Sequence, residues 1–172
     1  MEEKQTTRNN FWKENWSTVL MAVFLVAFAG TLLLQLWKPV VVHQTSMYPT
    51  LQEKDYLFIF KTGSYEPGDI VVFNSEELNE GNLIKRVIAT GGDTVQITGG
   101  KVYVNGEQLV EDYLAEDVYT DGELEWTLLP GEVFVLGDNR PVSIDSRTFG
   151  PIYLSDILGE AKIRFYHKLT LY

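Results

Sequence analysis

The sequence predicts a mainly β protein, in which one N-terminal transmembrane helix is followed by an antiparallel β domain. Three observations carry that prediction. Val19 to Leu36 is an 18-residue run without a charge, interrupted only by Gly30, Thr31 and Gln35. From Val40 onward the pattern changes to short β-branched and aromatic runs separated by Gly, Pro, Asn and Asp, which is how strands joined by turns read. No second apolar run of that length follows, and 172 residues suffice for one domain plus one attachment.

Taken in order, the first element is the apolar run. At about 1.5 Å per residue it reaches about 27 Å, close to the roughly 30 Å of a bilayer's hydrocarbon core. Trp12, Trp16 and Trp37 lie near its ends, where indole rings favour the membrane interface. Lys4, Arg8 and Lys13 precede it and only Lys38 follows closely, a bias that keeps the N-terminus in the cytoplasm. The expected organisation is therefore a cytoplasmic segment 1–17, a transmembrane helix 18–37 and an extracytoplasmic domain 38–172. Ala27-Phe28-Ala29 offers a cleavable leader as the rival reading. The run continues beyond that site, so cleavage would leave a greasy new terminus, and the retained anchor is preferred.

The strands expected next are Val40–Val42, Tyr56–Phe60, Ile70–Phe73, Leu83–Ala89, Thr94–Ile97, Lys101–Val104, Val133–Leu136 and Ala161–Tyr166. Turns fall at Glu66-Pro-Gly-Asp69, Gly91-Gly-Asp93, Gly99-Gly100, Asn105-Gly106 and Pro130-Gly131. Asn105-Gly106, between Val102-Tyr-Val104 and Leu109-Val110, is the strongest hairpin signal. Leu154 to Leu158 reads as a short helical turn ending at Gly159.

Composition then narrows the chemistry. There is no cysteine, which excludes disulfides, a thiolate nucleophile and Cys-based zinc. The two histidines, His43 and His167, are far apart, so a multi-His metal site is not expected and no cofactor is called for. The net charge of -10 lies wholly in residues 38–172, because the first 37 hold three bases and three acids. Such a domain is no nucleic-acid binder. The acidic stretch from Glu111 to Glu125 reads as a solvated face.

Hydroxyls and carboxylates remain as reactive groups, in three segments. Gln44-Thr-Ser-Met-Tyr-Pro-Thr-Leu51 follows the first strand. Leu83 to Ala89 places Lys85 inside a largely apolar strand. Gly137 to Arg147 is a polar loop after the strand Val133–Leu136. A serine is a weak nucleophile until a base takes its proton, and a lysine serves only as the neutral amine, which apolar burial favours. Alternation sets Leu83, Lys85 and Val87 on one face and Ile84, Arg86 and Ile88 on the other. An inward Lys85 with an outward Arg86 would suit a Ser-Lys dyad. Taken alone, a strand lysine is more often a solvated edge charge, and Ser46-Met47 is ordinary loop packing.

Together the segments resemble type I signal peptidases, membrane-anchored Ser-Lys endopeptidases that remove signal peptides from exported proteins. The resemblance rests on Ser46-Met47-x-Pro49-Thr50-Leu51, Gly68-Asp-Ile-Val-Val-Phe73, Ile84-Lys-Arg-Val-Ile88, Gly91-Gly-Asp93, Gly137-Asp-Asn-Arg140 and Ser143-x-Asp145-Ser-Arg147. These occur in the family's order and spacing, from the anchor to about residue 165. It implies a signal-peptidase-type β domain in which Ser46 is the nucleophile and Lys85 the general base. It further implies that Ser143 hydrogen-bonds and orients the Lys85 amine, and that Asp145 and Arg147 form a supporting ion pair. Substrate would bind extended near Val40–Gln44 and Leu83–Lys85, with Val42, Met47, Leu83 and Ile84 walling pockets for alanine at positions -1 and -3. The partners implied are preproteins with signal peptides, membrane lipid and the secretion translocase.

Two departures stand out. The family commonly has glycine one or two residues before the nucleophile, and some members have a serine there that helps stabilise the oxyanion; here Thr45 and Gln44 occupy those positions. The Gln44 amide or the Thr45 hydroxyl is the expected second oxyanion donor beside the Ser46 N–H. Only 43 residues separate Asp93 from Gly137, so the accessory β subdomain, about 95–131, is reduced as in Gram-positive-like enzymes. The rivals are a Ser-His-Asp hydrolase using His43, a self-cleaving Ser-Lys repressor, and a membrane-anchored non-catalytic homologue or scaffold. Lys85 stands where the eukaryotic-like branch has histidine. The anchor and the lack of a basic helix-turn-helix count against a repressor.

Overall fold

The computed structural model describes residues 15–31, 37–75, 81–165 and 170–171. These fall into two units that meet in sequence at Trp37 and Lys38. In the first, residues 15–31 are helical, with apolar side chains such as Phe24, Val26 and Phe28 exposed. Among the described residues no helix is long and apolar enough to cross a membrane. Residues 32–36 of the expected span lie outside the described residues, and Trp37 already belongs to a strand. The helix therefore cannot run to Trp37. Pro39 removes an N–H and disfavours helix at Lys38, and Val40-Val41 are β-branched.

The second unit is mainly β. Its larger sheet runs in the order β1 (Trp37–Val41), β2 (Tyr56–Phe60), β11 (Ile157–Phe165), β3 (Ile70–Ser75), β4 (Gly81–Thr90), β9 (Glu132–Leu136) and β10 (Ile152–Tyr153), with β12 (Thr170–Leu171) also on β11. A smaller sheet is ordered β7 (Glu107–Gln108), β6 (Lys101–Val104), β5 (Thr94–Thr98) and β8 (Leu124–Thr127). Every strand pair with a described register is antiparallel. The expected hairpin forms: Asn105 and Gly106 both have positive φ, and Val104 pairs with Glu107 across a two-residue turn. The return strand is Glu107–Gln108 rather than Leu109-Val110, because the short turn fixes the register.

Among the described residues the interior has three apolar clusters. Val42, Met47, Leu51 and Ile84 belong to one, Val71, Leu83, Val87 and Val135 to a second, and Ile88, Val95, Ile97 and Phe134 to a third at the smaller sheet. The short helical turn is confined to Leu154–Asp156, and Ile157 starts β11. Gly159 is therefore not a helix cap. It pairs with Val72, and a Cβ there would meet the Phe60 backbone at 3.1 Å, so its role is close approach of strands. Tyr166 and His167 lie outside the described residues.

Candidate active site

Ser46 sits in the turn that follows β1. Leu51 N–H donates to Met47 O at 2.8 Å, while Met47 and Leu51 are buried in the first cluster and fix the turn from beneath. From the other side, Asn139 N–H donates to Ser46 O at 2.9 Å and Asn139 Nδ2 to Thr45 O at 3.1 Å. The nucleophile candidate is thus held by main-chain bonds on both flanks and is only 8% exposed.

Lys85 occupies β4, which lies between β3 and β9, and only 1% of it is exposed. Its Nζ donates to Ser46 Oγ at 2.8 Å and to Ile84 O at 3.1 Å. A buried amine and a serine hydroxyl thus share one hydrogen bond. Arg86 differs from the sequence expectation: it is buried too, because β4 has protein on both faces. Its guanidinium makes a two-pronged pair with Asp138, Nε to Oδ1 at 2.9 Å and Nη2 to Oδ2 at 2.7 Å.

The polar loop supplies the supporting residues. Asp145 is fully buried, accepts from Gly137 N–H at 3.0 Å and pairs with Arg147 at 2.8 Å. It also caps α1 (Ser146–Phe149) by accepting from Arg147 N–H. Arg147 Nη2 continues to Arg140 O at 2.8 Å and Ser143 O at 3.2 Å, so the expected ion pair fastens the loop. The Ser143 hydroxyl does not make the expected bond to Lys85. Among the described residues its buried Oγ has no hydrogen-bond partner, and it points at Gly137, where an added Cβ would stand 2.2 Å from it. The Lys85 amine donates instead to the Ile84 carbonyl, besides Ser46.

Sequence reasoning missed a buried charge network behind this site. Arg140 pairs with Glu111 and donates to Thr120 Oγ1 at 2.6 Å. Tyr113 donates to Glu111 Oε1 at 2.7 Å, and the Arg86 guanidinium lies 3.9 Å from the centre of its ring. Burial, with that bond to Glu111, holds the Tyr113 hydroxyl well above the usual tyrosine range. Glu111 therefore leaves the solvated face expected of it, while Asp112, Glu116, Asp117, Asp121, Glu123 and Glu125 are exposed. The one signal was three buried-motif charges, Arg86, Asp138 and Arg140, with too few acids of their own.

Two cavities flank Ser46. The larger, about 460 Å³, is lined by Val42, Met47, Asn82 and Ile84 with Pro39–Val41. The second, about 270 Å³, is lined by Leu83, Lys85, Val142 and Ile144 with Thr45. His43, Gln44 and Ser46 line both. Val42, Met47 and Ile84 thus line one cavity, whereas Leu83 opens on the other one, because neighbouring strand residues face opposite ways. Among the described residues no group of His, Asp and Glu could hold a metal ion.

The family model described as signal peptidase, peptidase S26, matches residues 15–166. The chain belongs to the signal peptidase family. It is 35% identical to signal peptidase I of Bacillus licheniformis, over 96% of this chain and 94% of that one. Signal peptidase I T of Bacillus subtilis (strain 168) is 34% identical over the same shares. A probable signal peptidase I-2 of Synechocystis sp. is 37% identical, covering 96% of this chain and 78% of its own. A crystal structure of a signal peptidase I from Enterococcus faecalis superposes with a TM-score of 0.48 and 31% identity, over 56% of this chain and 96% of that one. Membership makes the protein a serine endopeptidase, of a family that removes signal peptides from preproteins.

Proposed function

We propose that Ser46 and Lys85 are the catalytic dyad, and that the enzyme cleaves preproteins after Ala-x-Ala at the outer face of a membrane to which its N-terminus anchors it. The observation that carries this is the 2.8 Å contact between Lys85 Nζ and Ser46 Oγ, away from bulk water. Burial favours the neutral amine, which accepts the serine proton through this same contact. Ser46 Oγ attacks the scissile carbonyl, and its proton passes to Lys85. The C–N bond breaks as that proton moves to the leaving amine. Water then attacks the acyl ester, gives its proton to Lys85, and the serine proton is restored. The Ser46 N–H, with the Gln44 amide or Thr45 hydroxyl, faces the oxyanion.

The larger cavity suits small side chains at -1 and -3. Substrate access is supported by β4 itself: Gly81–Lys85 pair with β3, whereas β9 pairs only with Arg86–Thr90. An extended peptide can add to that edge. Asp145 and Arg147 position the loop whose Asn139 holds the Ser46 turn, and Ser143 packs against Gly137. For the anchor, the support is the apolar run 19–36, its aromatic flanks and the exposed apolar side chains of helix 15–31. The base asymmetry places the N-terminus in the cytoplasm and residues 38–172 outside, where lipid and the secretion translocase are the neighbours.

The test is cleavage of an Ala-x-Ala preprotein by detergent-solubilised wild type, Ser46→Ala and Lys85→Ala. Wild-type cleavage that rises from about pH 6 to 9, with none by either variant, is expected. Cleavage by Lys85→Ala refutes the dyad, and no cleavage by folded wild type favours a scaffold.

A further inference from the structure

We infer that the cavity on the Lys85 side of the nucleophile is a subsite for the first residue after the scissile bond, position +1, and that it takes a small or apolar side chain. This rests on the Ser-Lys reading and extends it to the leaving half of the substrate. Two independent arguments place +1 there.

The first is proton transfer. When the C–N bond breaks, the nitrogen of residue +1 takes its proton from Lys85 Nζ, so it passes within hydrogen-bond reach of that atom. Lys85 lines the cavity of about 270 Å³ and is not among the residues lining the larger one. The residue carried by that nitrogen therefore leaves past the smaller cavity. Water for deacylation then reaches the ester from the same side, delivering its proton to the same amine.

The second argument is strand geometry. Asn82 and Ile84 open on the larger cavity, Leu83 and Lys85 on the smaller, and all four belong to the β4 segment that β9 does not pair. A peptide laid along that edge alternates its side chains between the two. With -1 and -3 in the larger cavity, +1 falls to the other side.

The walls define the chemistry. Val142 and Ile144 are 59% and 43% exposed, unusual for aliphatic side chains beside a reactive serine. Ser143 between them is extended (φ -84°, ψ 128°), so the two point the same way. Arg147, by bonding Ser143 O and Arg140 O, makes this lip a built feature rather than a loose loop. Among the described residues the lining holds no carboxylate, so a basic +1 side chain finds no partner there. An acidic one lies beside Lys85 and holds the proton on its amine, against its work as a base.

The experiment uses the full-length enzyme and peptides with Ala at -1 and -3 and Ala, Leu, Asp or Lys at +1. Wild-type kcat/KM for Leu should equal or exceed that for Ala and stand about tenfold above Asp and Lys, the scale of an apolar side chain matched to its pocket. Val142→Ser with Ile144→Ser should lower the Leu-to-Ala ratio at +1 roughly tenfold and leave the Ala-to-Leu ratio at -1 unchanged. Val142→Ser alone, at a surface position that folding tolerates, should move the ratio the same way. Unchanged +1 ratios in these variants, or a change that appears at -2 instead, overturn the inference. Lys85→Ala run in parallel separates the two levels: if it cleaves, the dyad has failed, and if it does not, any failure at +1 belongs to the subsite alone.

Discussion

At the scale of single residues, two neighbouring strand positions carry basic side chains with opposite fates. Lys85 and Arg86 are adjacent basic residues on a buried strand, and each is accommodated differently. The Lys85 amine meets a hydroxyl and a carbonyl, where its proton can be lost without stranding a partner charge, as the proposed base requires. Arg86 cannot lose its proton, so it takes a carboxylate in two-pronged geometry and the face of Tyr113. Asp138 is 1% exposed in its side chain and Arg86 10%, so removing either strands the other in a poor solvent. Arg86→Ala or Asp138→Ala should lower unfolding free energy by about 3–5 kcal/mol, read from a urea midpoint at constant slope. The pairing was hidden in the sequence, because alternation says which face a residue takes and not whether that face is covered. Ser46 and Lys85 were legible since their motifs carry them. The orientation of the Ser143 hydroxyl was not, as it depends on how near Gly137 comes.

At the scale of elements, the loop 137–147 and strand β11 each concentrate a constraint. Gly137 has no room for a side chain: a Cβ would lie 2.6 Å from the Ser46 carbonyl oxygen and 2.6 Å from Ser143 Cβ. The first of these is backbone and cannot swing away. Gly137→Ala should displace Ser46, the proposed nucleophile, and lower kcat by on the order of 10², measured on a short peptide, with a smaller effect on KM. On β11, Glu160 is buried and pairs with Lys162, and burial raises its carboxyl above the usual range. A raised folded-state value means the folded protein binds this proton more tightly. Its contribution to stability is full below the unfolded value and fades as pH rises through the folded one. Glu160→Gln lacks that loss, so its stability relative to wild type should grow from about pH 4 to neutrality in thermal melts. Most strands could be read ahead because their cores are β-branched runs bounded by turns. Leu154–Leu158 misled, since a glycine after an apolar stretch looks alike whether it caps a helix or lets two strands touch.

At the scale of the whole molecule, charge and hydropathy divide the chain as the fold does, near residue 37. A neutral leader with an apolar run precedes a domain that holds the entire -10. The accessory sheet of β5 to β8 is small, yet Glu111, Tyr113 and Thr120 reach from the segment between its last strands to Arg86 and Arg140. That long-range use of the acidic stretch had no periodicity to reveal it. Anchoring with the domain outside predicts an asymmetric response to protease added to intact cells. Residues 38–172 should be degraded while an N-terminal tag survives, detected by immunoblot; loss of the tag with survival of the domain would reverse the topology.

The central claim is that a peptide acyl group passes through Ser46 with Lys85 as base. Acid quenching of wild type during turnover of an Ala-x-Ala peptide, followed by mass spectrometry, tests it most directly. The account predicts the mass of the substrate's acyl half on the fragment containing Ser46, with none in Lys85→Ala. An adduct on another residue, or equal acylation of the lysine variant, would contradict it.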